Sequence, residues 1–404
     1  MPRQSSIRHR SVSEWAVRGA AAACAGVLAY VSVTATLGYT YRNRAPERAH
    51  RLAGWDGRVT AVLAARLAGL DGGTPNPRAA ARLAREALRQ DPTAVTAAAA
   101  LGLVADMDGQ HQVAARLFDY AETLSRRDLP TQLWKIEAAV GRGEVAEAMR
   151  HYDIALRTSR HAPDLLFPVL VAAMADPPVR TELVRTFLRR PAWGPLFVEY
   201  AAGSSPDPEV TSQLFQDLQR NGISPAPVAQ TVLVDTLASR GAFQDAWRYY
   251  QVFRPKVDRR RSRDPRFSAD IALPTVFDWR IVSDTGVSAS LQRGDQGGLL
   301  DFAAPASLGG AVAQQKQFLP PGRYRLSGQA GGLAGATGPD AYWVMTCPDG
   351  RELGRVDIHG PGGFAGTIEV PDDCVAQTLT LMLRPSDMPS GIAGQILRAE
   401  VVPS

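Results

Sequence analysis

The chain has 404 residues, 45% of them hydrophobic, and a formal net charge of +5. That length exceeds one ordinary domain and that apolar content builds real cores, so a single small domain and wholesale disorder are both excluded. The positive excess is modest, Arg is spread along the whole chain and no nucleic-acid-binding signature accompanies it, so no nucleic-acid partner is expected.

A short basic tail, residues 1–18, carries Arg3, Arg8, Arg10 and Arg18. Gly19 to Tyr39 then runs for 21 residues without a charge. As a helix, at about 1.5 Å per residue, such a run spans a hydrocarbon core of roughly 30 Å. Trp15, Tyr39 and Tyr41 flank it as interfacial residues do. Residues 19–40 are therefore expected to be a transmembrane signal anchor; a cleaved signal and a buried helix meet the same compositional test. Arg42, Arg44, Arg48 and Arg51 balance the tail, so charge alone does not orient the helix. The short tail, and a cysteine pair suited to an oxidising compartment, favour a single-pass inner-membrane protein of bacterial type with its bulk in the periplasm. Residues 41–59 read as a juxtamembrane helix or linker.

Residues 60–255 carry a 34-residue period. Ala80, Ala114 and Ala148 keep that step, as do Ala84, Phe118 and Tyr152, then Ala87, Ala121 and Ala155, then Gly109 and Gly143. The Gly suits a tight turn between antiparallel helices, where a left-handed backbone carries no Cβ penalty. The small Ala lets two helices approach, and the aromatic four residues later lies on the same face. Gly241, Ala246 and Tyr250 look like a further unit. Ala148 and Ala246 are 98 apart, four short of three periods, so 160–225 is read as two degenerate helix pairs punctuated by Pro177, Pro178, Pro191 and Pro195. The pattern resembles the tetratricopeptide repeat family. That resemblance implies an all-α solenoid of helical hairpins that holds a protein partner, although Lys135 and Ile136 depart from its usual residues.

Residues 256–269 form a basic linker with Arg259, Arg260, Arg261 and Arg263. It reads either as a solvated connection or as an electrostatic contact. From 270 to 404 the helical period gives way to short alternating runs between Gly, Pro and Asp turns. Ten strands are expected: 277–282, 287–292, 299–302, 315–319, 324–329, 342–347, 355–358, 364–370, 377–383 and 395–402. They argue an antiparallel β-sandwich, and the pattern resembles jelly-roll carbohydrate-binding modules. Cys347 ends one strand and Cys374 precedes another, making them a candidate disulfide. Trp279, Tyr342 and Trp343 are candidates for stacking on a sugar ring, with core packing as the competing role.

No nucleophile elbow, phosphate loop or His-Glu-x-x-His motif occurs, and Gly332, Gly335 and Gly338 read as a loop. His111 and His151 read as polar surface positions within the repeats. No cofactor is expected; a structural Ca²⁺ held by Asp278, Asp295 or Asp301 is compatible with a sandwich. The expectation is a non-enzymatic, membrane-anchored scaffold. Its repeats would bind a protein and its sandwich a second protein or a glycan, in a setting such as cell-surface polysaccharide assembly or export. A carbohydrate-binding module on a helical stalk is the alternative. A carbohydrate-active enzyme stays open as well, because its carboxylate pair would come from distant strands.

Overall fold

The charge-free run lies inside one uninterrupted helix, α1 (Val12–Tyr41). Its 30 residues extend about 45 Å at ~1.5 Å each. By length and composition α1 can cross a membrane, a test that a signal sequence also passes. Leu28, Tyr30 and Val33 are exposed along it, and only Thr34 and Gly38 are buried. The computed structural model describes residues 12–70, 74–282, 286–294, 297–334, 341–386 and 389–404. Arg3, Arg8, Arg10, Asp295, Gly335 and Gly338 lie outside the described residues. The chain divides into two compact units, the first ending at Leu166 and the second beginning at Phe167.

In the first unit α1 is followed by α2 (Pro46–Ala53), α3 (Gly57–Ala68), α4 (Pro77–Gln90), α5 (Val95–Met107), α6 (His111–Leu124), α7 (Leu129–Gly141) and α8 (Val145–Thr158). α3 packs on α4, α5 on α6 and α7 on α8. The periodic residues sit where their size predicts. Ala80, Ala114, Ala148, Phe118, Tyr152, Ala121 and Ala155 are all buried. Gly109 and Gly143 adopt φ of +74° and +73°. The residue after each donates its N–H back to the carbonyl five positions earlier, Gln110 to Ala105 and Glu144 to Ala139, which closes the helix end. A Cβ on Gly102 would come within 2.9 Å of the Phe118 ring. The same ring stacks on Trp134, centroids 4.4 Å apart. The missing side chain in α5 thus makes room for the aromatic of α6.

α9 (Ala162–Ala173) spans the division. The second unit continues with α10 (Pro177–Phe187), α11 (Gly194–Ser204), α12 (Pro208–Arg220), α13 (Pro227–Ser239) and α14 (Phe243–Phe253). Pro177, Pro208 and Pro227 open their helices, where a missing N–H costs nothing and φ is already helical. These three prolines therefore set helix starts, whereas Pro168 lies inside α9.

Among the described residues ten strands follow: β1 (Arg280–Ile281), β2 (Ser288–Gly294), β3 (Gly297–Ala304), β4 (Gly310–Gln317), β5 (Gly322–Ala334), β6 (Ala341–Thr346), β7 (Glu352–Ile358), β8 (Gly362–Val370), β9 (Gln377–Leu383) and β10 (Ile392–Pro403). They form two five-stranded sheets, ordered β1-β4-β9-β6-β7 and β2-β3-β10-β5-β8. β3 pairs with β10, β4 with β9, β5 with β8 and β6 with β7, all antiparallel. This is one long hairpin of four strand pairs rolled into two sheets, the jelly-roll arrangement. Leu300, Phe302, Leu326, Trp343, Leu381 and Ile396 fill the space between the sheets.

Each expected strand finds its counterpart, but β1 is far shorter than 277–282. The backbone before it is committed elsewhere: the Val276 N–H donates to Asp235 of α13, and the Asp278 N–H turns back to the Thr275 carbonyl. The stretch read as a basic linker is also part of the sandwich. β3 pairs with β10 only over Ile392–Ile396. Beyond that point Ser262 and Pro265 occupy the vacated edge, with Ser262 donating to the Val401 carbonyl at 3.0 Å and Ala399 donating to the Pro265 carbonyl at 2.9 Å.

Candidate functional site

Alternation along β6 decides which aromatic faces outward. Ala341, Trp343 and Met345 are wholly buried between the sheets, whereas Tyr342 and Thr346 lie on the opposite face, partly exposed. Trp343 and Trp279 are therefore core residues, their rings 5.5 Å apart, and neither is available to stack on a ligand. Trp279 further ties its indole N–H to the Asp264 carbonyl at 3.0 Å. Both tryptophans drop out of the stacking candidates; Tyr342 remains.

Strand register assembles a polar surface around Tyr342. It stands opposite Asp357 on β7 and Met382 on β9. The next row holds Val344 between Arg355 and Thr380, and the next holds Thr346 between Glu352 and Thr378. The Arg355 guanidinium lies 4.6 Å from the Tyr342 ring centroid, and that of Arg384, just after β9, lies at 4.4 Å. Arg384 pairs with Asp357 at 3.0 Å, and Arg355 makes a two-point pair with Glu352 at 3.1 and 2.7 Å. The Glu352 carboxylate holds the Arg355 guanidinium above its ordinary pKa. Arg355 and Asp357 lie on one side of β7, and with His359 just after it they line a cleft of about 430 Å³ closed by Gly360, Pro361 and the first residues of β8. At the other side of the face Lys316 donates to Thr378 at 3.3 Å and lies near Phe243 of α14; burial lowers its pKa. An aromatic ring, two planar guanidiniums, a carboxylate and threonine hydroxyls thus share one flat face, a set that can stack on a ring and hydrogen-bond its hydroxyls.

The other expected positions fall apart in space. Arg259, Arg260 and Arg261 are exposed, with Arg261 paired to Asp258 and Arg259 lying over Phe318. Arg263 is buried. It donates to the carbonyls of Phe277 and Lys316, faces the rings of Trp247 and Tyr250, and burial lowers its pKa to about 10. Asp278 is equally buried, taken up by Tyr250 and Thr275. Asp301 accepts from Gln395 at 3.2 Å. Among the described residues no group of three or more His, Cys, Asp or Glu is placed to hold a metal ion. Of the repeat-signature residues in this unit, Gly241 takes φ +80°, and Ala246 and Tyr250 are buried. Cys347 and Cys374 are bonded, with Cα atoms 5.7 Å apart, across the ends of neighbouring β6 and β9. In the first unit His111 is exposed, paired with Asp106. His151, expected at the surface, is buried instead: α8 turns it inward, where its ring meets Gln132 at 2.7 Å. Sequence reading missed Arg355, Asp357 and Arg384, and only the alternation along β7 could have placed the first two together.

No protein-family model and no curated protein matches this sequence. Among solved structures, the chain is similar to the enzymatically active domain of bacteriophage CBA120 tailspike protein 4, at 12% identity and a TM-score of 0.22, covering 31% of this chain and 18% of that one. It is similar to a CBM4 structure at 13% identity and a TM-score of 0.28, over 35% of this chain and 99% of that one. It is also similar to the carbohydrate-binding module CBM6cm-2 of Cellvibrio mixtus lichenase 5A, in complex with cellotriose. That likeness has 10% identity and a TM-score of 0.21, over 32% of this chain and 99% of that one.

Proposed function

We propose that this chain is a non-enzymatic, membrane-anchored binding protein whose sandwich takes a glycan on the face around Tyr342 and whose helical array takes a protein partner. The observation that carries the reading is the Tyr342 face itself: the one expected stacking aromatic left on the surface is also where Arg355, Arg384 and Asp357 converge. Sugar recognition needs that combination of a flat apolar ring and planar or bidentate hydrogen-bonding groups.

Retention of α1 as an anchor, rather than its removal as a signal, is supported by its last turns. A Cβ on Gly38 would come within 2.7 Å of the Ala53 side chain, so α1 and α2 meet at close range, and Ala49, Ala53 and Val59 cluster beside the contact. Removing α1 would bare that cluster. The Cys347–Cys374 bond favours a periplasmic location. The Gly102, Phe118 and Trp134 packing and the glycine-closed hairpins support a tetratricopeptide-type array. The setting that joins these parts is assembly or export of a cell-surface polysaccharide, with no cofactor.

The test is glycan-array binding followed by calorimetry on the full-length protein in detergent. Tyr342→Ala and Asp357→Ala should each weaken binding by about tenfold or more without changing the melting temperature. A wild-type protein that binds no glycan, or a Tyr342→Ala protein that binds as well as wild type, ends this reading.

A further inference from the structure

The connections α10–α11 and α12–α13 enclose a cavity of about 550 Å³, inside the ~300–1,000 Å³ range of ligand pockets. Its floor is apolar: Phe187, Pro191, Pro195, Val198, Leu218 and Ile223. Phe187, Val198 and Leu218 are buried residues of α10, α11 and α12, so helix core forms part of that floor. The rim is cationic. Arg190 lines the opening and Arg189 precedes it; both are exposed, and among the described residues neither has an ion-pair partner. Arg190 holds φ +50°, a left-handed backbone that a side-chain-bearing residue adopts at a cost and that recurs at binding sites.

An apolar socket beside two exposed guanidiniums selects an occupant with a bulky apolar group next to negative charge. We propose that this pocket seats one large apolar side chain of an acidic segment of a partner protein, with Arg189 and Arg190 meeting the flanking carboxylates. The proposal rests on the reading of the helical array as a protein-binding element and specifies where, and what kind of segment, it binds. A buried anchor carries most of the affinity in such an interface, and rim charges chiefly set on-rate and salt dependence.

The probe is a phage-displayed random dodecapeptide library panned on the full-length protein, with enriched peptides synthesised and measured by fluorescence anisotropy. Enrichment should converge on Trp, Phe or Leu flanked by Asp or Glu. Ala192→Trp, at an exposed lining position, fills the socket and should weaken those peptides about tenfold or more at unchanged melting temperature. Arg190→Glu should weaken them and flatten their salt dependence. Peptides without that pattern, or binding indifferent to Ala192→Trp, overturn the proposal. So does Ala192-dependent binding of dioleoylphosphatidylglycerol vesicles in place of peptide, which makes the site a lipid pocket. If a partner protein binds the Ala192→Trp chain as well as wild type, the pocket proposal fails while the protein-binding array stands; if no protein binds the wild-type chain, both fail.

Discussion

The hydroxyl of Tyr250, in α14, donates a 2.6 Å hydrogen bond to the carboxylate of Asp278, two residues before β1. Both groups are buried, and Asp278 also accepts the N–H and hydroxyl of Thr275 at 2.9 and 2.8 Å. Burial and the adjacent carboxylate push the Tyr250 phenol well above its ordinary pKa, so it stays a donor. Around this pair Trp247, Phe277 and Phe318 pack together and Arg263 caps the carbonyls of Phe277 and Lys316. These contacts tie α14 to the segment that leads into β1 and to the end of β4. Tyr250→Phe, which leaves Asp278 short of a donor, should destabilise the protein by about 1–3 kcal/mol in urea unfolding. An unchanged midpoint would show that the bond is dispensable.

Trp343→Ala and Tyr342→Ala should separate stability from binding at adjacent positions. The first empties a fully buried site, at a cost of about 3–5 kcal/mol. The second trims the outer face, and its melting temperature should match wild type. Equal losses of stability would mean that the two side chains share a core.

Reduction should loosen the sandwich. Cys347 and Cys374 are separated by 27 positions, and a closed loop of that size stabilises by about 3–4 kcal/mol through the entropy it removes from the unfolded chain. The Cys347→Ala/Cys374→Ala protein should melt lower in calorimetry and lose its sensitivity to dithiothreitol. A double variant as stable as the oxidised protein would contradict this.

Gly38→Leu should break the contact between α1 and α2, with a loss of about 1–3 kcal/mol from overpacking against Ala53. Gly26→Leu is the control, since nothing lies within 4 Å of a Cβ there. Melting curves in detergent should fall for the first variant only.

His151 should make the first unit acid-sensitive. Burial, then the charge of Arg150, lowers its pKa below the ordinary value, against the opposing pull of Glu122 and Glu147. The folded state therefore binds fewer protons than the unfolded one between the depressed pKa and the normal value of about 6.5. The stability it contributes is complete above the unfolded value and is lost as pH falls toward the folded one. Between pH 7.5 and 5 the melting temperature should drop, and His151→Gln should flatten that part of the profile. An identical profile in the variant would assign the acid sensitivity to other groups.

How much of this was written in the sequence depended on how local each signal is. Gly109 and Gly143 announced helix ends because a positive φ is a property of one residue, and strands β2 to β10 announced themselves through alternation and turn residues. The Tyr342 face did not, because Arg355 reaches that ring from β7 and Arg384 from the end of β9, and pairing across strands is invisible along the chain. Alternation shows that Tyr342 and Trp343 point to opposite sides; it does not say which side is the core. Arg263 sits in a run of arginines that composition marks as solvated, yet its neighbour Ser262 bonds to β10 and draws it inside. His151 was misjudged for the same reason: its partner Gln132 belongs to another helix.

The rolled hairpin also governs how the nascent chain must fold. β10 lies at the centre of its sheet, between β3 and β5, and the residues that bind it span positions 262 to 334. Until the ribosome has delivered residues 392–403, β3 and β5 each present an open edge to any strand that passes. Closure of the sandwich thus waits on its central strand, whose pairings are long-range ones of the kind that form late and leave edges open to aggregation.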